Sequence, residues 1–164
     1  MKSARTGRVE TDINAPIEKV WTLLSHLERM GEWSPECYRV RWERDWSPPA
    51  SVGARLRGWN RYGLLRWSVA CRVETVLPLR ELSFCTLVRE KKMTTWSFRL
   101  SESTDGVALS ESFEVHWLPP SARLAEDYLM RDRDRRRLEA MRTTLARIKQ
   151  FAEAEWSSTE PIAS

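Results

Sequence analysis

Glycine is scarce in this chain, six in 164 residues, and cysteine and histidine are scarcer, three and two. The cysteines Cys37, Cys71 and Cys85 stand far apart and form no CxxC pair. An odd, scattered set excludes a disulfide framework and a structural zinc site, so three thiols are expected. His26 and His116 have no His, Cys or Asp neighbour at metal-ligand spacing, and no metal is predicted. A GxSxG elbow, a phosphate-cradling glycine loop and a dinucleotide fingerprint are all missing, so no cofactor is expected. With so few histidines, a Ser-His-Asp arrangement is disfavoured.

Long apolar runs are also missing. No stretch approaches the roughly 18 residues of a membrane span, which argues against membrane insertion. The opening MKSARTGRVETDI has basic residues but no apolar run behind them. It does not read as a secretory signal, and a cytoplasmic protein is expected. Lysine is rare beside arginine, the bias of a GC-rich bacterial genome. The 27 basic residues are interleaved with 23 acidic ones, net +4. So dilute a field gives no reason to expect a nucleic-acid partner. No repeat or linker divides the chain, which predicts one domain over 1–156 and a frayed tail over 157–164.

What is abundant is tryptophan, with nine residues. Buried indoles need a partner for the N–H, and many of these rings fall on inward faces of predicted strands. Val9, Thr11 and Ile13 alternate as a first strand. Pro16 and Glu18 then open a helix carrying Val20, Trp21 and Leu24 at helical spacing. A second short helix is predicted over 28–33, ended by Ser34-Pro35. Six alternating segments follow, separated by turn signals at Pro48-Pro49, Asn60–Gly63, Pro78 and Thr104–Gly106. Each is half apolar, which predicts an antiparallel sheet with one wet face. From Ser121 to about Trp156 there is no glycine or proline. Leu124, Tyr128, Leu138, Met141 and Leu145 recur at helical steps there, predicting one helix of roughly 50 Å. The fold class is α+β: a curved seven-stranded antiparallel sheet wrapped around a long C-terminal helix, with two short helices after the first strand.

The stretches Val9–Trp21, Glu32–Glu36, Gly53–Arg61 and Met141–Lys149 resemble the START-like (helix-grip) superfamily in its polyketide cyclase/dehydrase and lipid-transport branch. That resemblance implies a pocket between the sheet and the last helix. It leaves the occupant open, because one fold serves many functions.

Five aromatic residues, Trp33, Trp42, Trp67, Trp96 and Phe98, are the expected cavity wall, beside Gly58 and Met141, and Phe113 is a further ligand-contact candidate. Plain core packing is the competing reading for each ring. Glu111 is the candidate catalytic residue. Alternation places it with Leu109, Phe113 and Val115, where a carboxylate must be paired, solvated or protonated. Asn60 is a ligand-bonding candidate or a turn cap, and Tyr38 a second proton-handling candidate. The alternating charges of 131–137 read as a solvated helix face. Arg39, Arg41, Arg55, Arg57, Arg61 and Arg72, with Trp59, share the predicted outer sheet face, where Glu43, Glu74 and Glu114 dilute their charge. Function therefore divides three ways: a carrier or sensor of a lipophilic, ring-containing molecule; a polyketide cyclase or aromatase using the same pocket; or an interaction module using the basic face. A monomer or weak homodimer is expected.

Overall fold

The computed structural model describes residues 5–159. Strand β1 (Arg5–Ile13) leads into helix α1 (Ile17–Ser25), a single 3-10 turn (Leu27–Arg29) and a short helix α2 (Met30–Trp33). Six strands follow: β2 (Cys37–Trp42), β3 (Arg55–Tyr62), β4 (Leu65–Leu77), β5 (Glu81–Val88), β6 (Lys91–Ser103) and β7 (Gly106–Val115). Helices α3 (Pro120–Tyr128) and α4 (Arg133–Thr159) complete the chain. All neighbouring strands are antiparallel, in the order β1-β7-β6-β5-β4-β3-β2. Six of the seven strands thus form a meander, and β1 returns to pair with the last.

One sheet face is apolar because the alternation places Val9, Leu56, Val73, Leu82, Phe98 and Leu109 on it, each at most 6% exposed. Helix α4 packs over β1 and β7 and against α1 and α2. Leu145, Ile148 and Ala152 are its buried stripe. Close approach is built in at Gly7, where a Cβ would stand 2.5 Å from the Phe113 ring and 2.8 Å from Leu138.

Three expectations change. The predicted single C-terminal helix is two, broken over 129–132, where Asp132 takes the left-handed conformation at φ 58°. Aspartate tolerates that conformation better than most residues, so a break needs neither glycine nor proline. The predicted turn at Asn60–Gly63 lies further on. β3 continues through Tyr62, and Gly63 takes φ 57° in the turn before β4. Helix α4 also runs through Thr159, into the segment expected to fray; positions 160–164 lie outside the described residues. Among the described residues no helix is long and apolar enough to cross a membrane.

Candidate functional site

Near the α2 end of the sheet, α4 no longer covers the apolar face alone. Helix α3 lies there instead, and a cavity of about 440 Å³ remains between sheet and helices. Its size falls in the range of small-molecule pockets, roughly 300–1,000 Å³. The sheet side includes Val40, Leu56, Gly58, Val69 and Phe84; α3 contributes Ser121, Ala122, Ala125 and Glu126. Small residues on the inner face of α3 leave the space unfilled. At Gly58 a Cβ would meet only Cys37 Sγ, at 3.5 Å, so the floor there is open.

Of the residues singled out from sequence, Asn60, Trp67, Trp96, Met141 and Glu111 line this cavity. Asn60 and Trp67 stand directly opposite one another on β3 and β4, so Asn60 is a strand residue and not a turn cap. The other five lie outside the lining, each for a local reason. Trp33 packs edge-on to Phe151 at 5.6 Å, with Arg29 stacked 4.9 Å from its ring, in the α2–α4 contact. Trp42 donates its indole N–H to Glu28 at 2.9 Å, which holds the ring against the 3-10 turn. Tyr38 is turned out by a register shift between Cys37 and Arg39, which leaves Cys37 and Val40 on the cavity side. Phe98 is wholly enclosed in the core, and Phe113 supports the wall from behind, 5.8 Å from Trp96 and 4.8 Å beneath Arg137.

Glu111 is 6% exposed and sits between Val9 of β1 and Phe98 of β6 in the sheet register. Its Oε2 has no hydrogen-bond partner. Burial alone pushes its carboxyl up to about 8, and no charged neighbour opposes the shift. At neutral pH it is mostly a carboxylic acid, able to donate as well as accept.

Sequence reasoning missed the charged end of the cavity. Arg133 and Arg137 were expected on a solvated face and are instead 8% and 5% exposed. Arg133 grips Glu36 with both terminal nitrogens, Nη1 at 2.7 Å. Arg137 donates to Asp134 at 2.7 Å and to Glu126 at 3.2 Å. Arg5 donates to Glu126 at 2.7 Å and to Asp134 at 2.6 Å. Burial is the largest influence on Arg133 and works against its charge, but the hydrogen bonds and charge of Glu36 together with the charge of Glu126 outweigh it and raise the pKa. Burial lowers that of Arg137, with Arg133 adding to the effect. Both guanidinium groups remain charged at any working pH. A signal was present: Arg133 and Arg137 stand eight and four positions before Met141, on the same helical stripe.

The histidines are elsewhere. His26 Nδ1 lies 2.8 Å from the Thr22 carbonyl, and His116 Nε2 lies 2.8 Å from Thr95 Oγ1. On the outer sheet face Arg39 stacks on Trp59 at 5.0 Å, and Arg41 stands opposite Arg57.

A sheet gripping a helix around a partly apolar cavity now meets its relatives. The family model described as polyketide cyclase/dehydrase and lipid transport matches residues 5–153. The chain belongs to that family. A polyketide-cyclase-like protein from Corynebacterium glutamicum is similar over 99% of this chain and 100% of its own, with 27% identity and a TM-score of 0.61. A Bacillus halodurans protein shares the fold at 21% identity, 91% and 97% coverage and a TM-score of 0.62. The di-domain ARO/CYC StfQ of the steffimycin biosynthetic pathway shares it at 17% identity and a TM-score of 0.70, over 93% of this chain and 51% of that one. A search of curated proteins gave no match. Family membership fits the sheet-and-helix cavity, and the family spans both cyclase and lipid-transport roles, so the occupant must be argued from the wall itself.

Proposed function

We propose that this family member is a carrier or sensor that encloses a lipophilic, ring-containing small molecule between the sheet and helices α3 and α4. The observation that carries this reading is the composition of the wall. Trp67, Trp96 and Phe84 present aromatic surface, while Met30, Met93 and Met141 supply adaptable thioethers. Flat aromatic faces favour a ring, and methionine conforms to varied shapes. Native mass spectrometry of the purified protein tests it. A bound small molecule released on denaturation is the expected result. Protein that carries none, and that leaves an apolar naphthalene probe unbound, contradicts it.

A second reading rests on Glu111. A buried carboxyl titrating near neutrality, with a free oxygen in a cavity wall, suits proton transfer in a cyclase-type reaction. There the wall would fold a flexible poly-carbonyl chain, and holding its reacting carbons together is a large part of such catalysis. Turnover of such a chain by wild type, lost in Glu111→Gln with binding retained, would favour the enzyme over the carrier.

A further inference from the structure

Gly58 and Asn60 of β3 line the cavity, so Arg57, Trp59 and Arg61, which alternate with them, stand on the outer face of the sheet. That face is less mixed in space than in sequence. The three acidic residues that dilute its arginines along the chain are spent or distant in the fold. Glu43 binds Arg55 at 3.3 Å, and Glu74 binds Lys92 at 2.5 Å. Glu114 stands on β7 beside His116, four strands from β3. Glu36, nearer by, commits its carboxylate to Arg133 on the cavity side.

What remains at the β2–β3 end is cationic. Among the described residues the ion pairs of this end of the face belong to Arg55, and Arg39, Arg41, Arg57 and Arg61 meet no carboxylate. Arg57 donates instead to Ser68, and Arg61 to the Pro35 carbonyl, both at 3.3 Å. Arg41 and Arg57 stand directly opposite one another. Like charges in that position destabilise a sheet. Cations on an edge strand guard it against pairing with another chain, which accounts for Arg39 and Arg41 on β2. That guard does not account for Arg57 and Trp59, because β3 lies inside β2 and is no edge.

The face is aromatic as well as basic. Arg39 lies 5.0 Å from the Trp59 ring, and Arg61 lies 5.8 Å from the ring of Tyr38. Residues on one face of a strand recur roughly every 6.7 Å, so Arg57, Trp59 and Arg61 form a row of cation, ring and cation. A membrane surface needs only the charge. An acidic protein brings carboxylates but no flat partner for the rings. A single-stranded nucleic acid uses both, with phosphates for the guanidinium forks and bases to stack.

We infer that the outer face of β2 and β3 binds single-stranded nucleic acid, with the backbone on Arg39, Arg41, Arg57 and Arg61 and a base stacked at the Trp59–Arg39 pair. This surface is on the opposite side of the sheet from the cavity and works whatever the cavity holds.

The test is fluorescence anisotropy of a labelled oligouridylate of about ten nucleotides, an ordinary length for a single-strand site. The protein is first freed of nucleic acid in high salt. Four phosphate contacts give a log–log salt slope of about −2.8, so affinity falls about 50-fold between 50 and 200 mM salt. Arg41→Gln combined with Arg57→Gln halves that slope, to about −1.4. Trp59→Leu keeps apolar cover and the slope, but weakens binding about fivefold or more, as losing one stacked base does. Arg99→Gln, on the same face at β6 beside Glu81, changes neither. Circular dichroism checks each fold. Should the double variant not fold, Arg41→Gln alone, at an exposed position, decides by lowering the slope about 0.7. Oligouridylate left unbound at low salt overturns the inference, as does binding that the arginine variants leave unchanged. Unchanged affinity in Trp59→Leu overturns the stacked base. Polyglutamate or phosphatidylglycerol vesicles bound as tightly as oligouridylate overturn the choice of partner.

Discussion

Glu126 of α3 and Arg137 of α4 meet at 3.2 Å, side chain to side chain, at the edge of the cavity. Glu126 also holds Arg5 at 2.7 Å. It is therefore the tie between α3 and the rest of the molecule. No residue of α3 is buried, and Leu124 and Tyr128 face solvent. Beyond Ala122, which packs against the core, this helix has little besides its ion pairs to hold it.

Replacing that carboxylate is the first prediction. Glu126→Gln removes one of the two carboxylate partners of both Arg137 and Arg5, leaving Asp134 to each, and losing charge-assisted hydrogen bonds of this kind costs roughly 1.5–3 kcal/mol. Urea denaturation measures the loss. Hydrogen exchange adds where it falls: amides of α3 exchange faster in the variant, while those of α4 around Leu145 and Ile148 keep their protection. Unchanged stability and unchanged α3 exchange would show that the helix is anchored by other contacts.

Glu111 predicts a pH dependence with a fixed sign. Its folded pKa, about 8, lies above the ordinary carboxylate value near 4.3 of an unfolded chain. The unfolded state therefore binds fewer protons between those limits, and wild-type stability falls as pH rises through that window. Below it the contribution is fully present; above about pH 8 it is gone. Glu111→Gln lacks this titration. Denaturation at several pH values should show the variant gaining on wild type from pH 5 to pH 8, by roughly 2–4 kcal/mol at the upper end. A constant difference across that range would place the carboxyl in solvent.

The fold was legible in the sequence because its signals are local. Alternation in Val9–Ile13 and in Trp67–Val73 marks strands wherever one face is buried. The sheet side of the cavity was partly legible for the same reason, and Asn60, Trp67, Trp96 and Glu111 fall on the predicted face. Tyr38 was misread because a bulge breaks alternation without leaving a mark in composition. Trp33 and Trp42 were misread because inward-facing is not cavity-facing; a ring also packs on whichever helix lies nearest. The break before Arg133 was hidden, since charged residues at 131–137 are equally at home on a solvated helix. Only the phase of Arg133 and Arg137 with Met141 indicates that they turn inward.

The thiols should be quiet. Burial pushes Cys37 up to about 11 and raises Cys71 further, and Cys85 is raised as well, again first by burial. Thiolate is the reactive form, so at pH 8 only about one Cys37 in a thousand is reactive. A disulfide-exchange reagent should label native protein slowly and all three cysteines promptly in urea. A ligand in the cavity slows Cys37 further, since that residue lines it. Fast native labelling would mean that the sheet end around β2 opens readily.

Tryptophan emission separates the wall from the core. A quenching naphthalene probe acts on Trp67 and Trp96, which line the cavity, and not on Trp33 or Trp42. Trp67→Phe together with Trp96→Phe should remove most probe-dependent quenching, whereas Trp33→Phe should leave it. Loss of quenching in Trp33→Phe alone would put the binding site at the α2–α4 contact.

The central claim is that the space above Gly58 holds the ligand, and filling that space tests it most directly. Gly58 lies in mid-strand on the cavity floor, and within 4 Å a Cβ there meets only Cys37 Sγ. Methyl naphthyl ketone titrated into wild type and Gly58→Leu by calorimetry gives the comparison, with thermal unfolding as the check on the fold. The account predicts saturable binding by wild type and a loss of at least about tenfold in Gly58→Leu, whose unfolding stays cooperative; ~1.4 kcal/mol of blocked contact is enough for that. Equal affinity in a folded Gly58→Leu protein would contradict it.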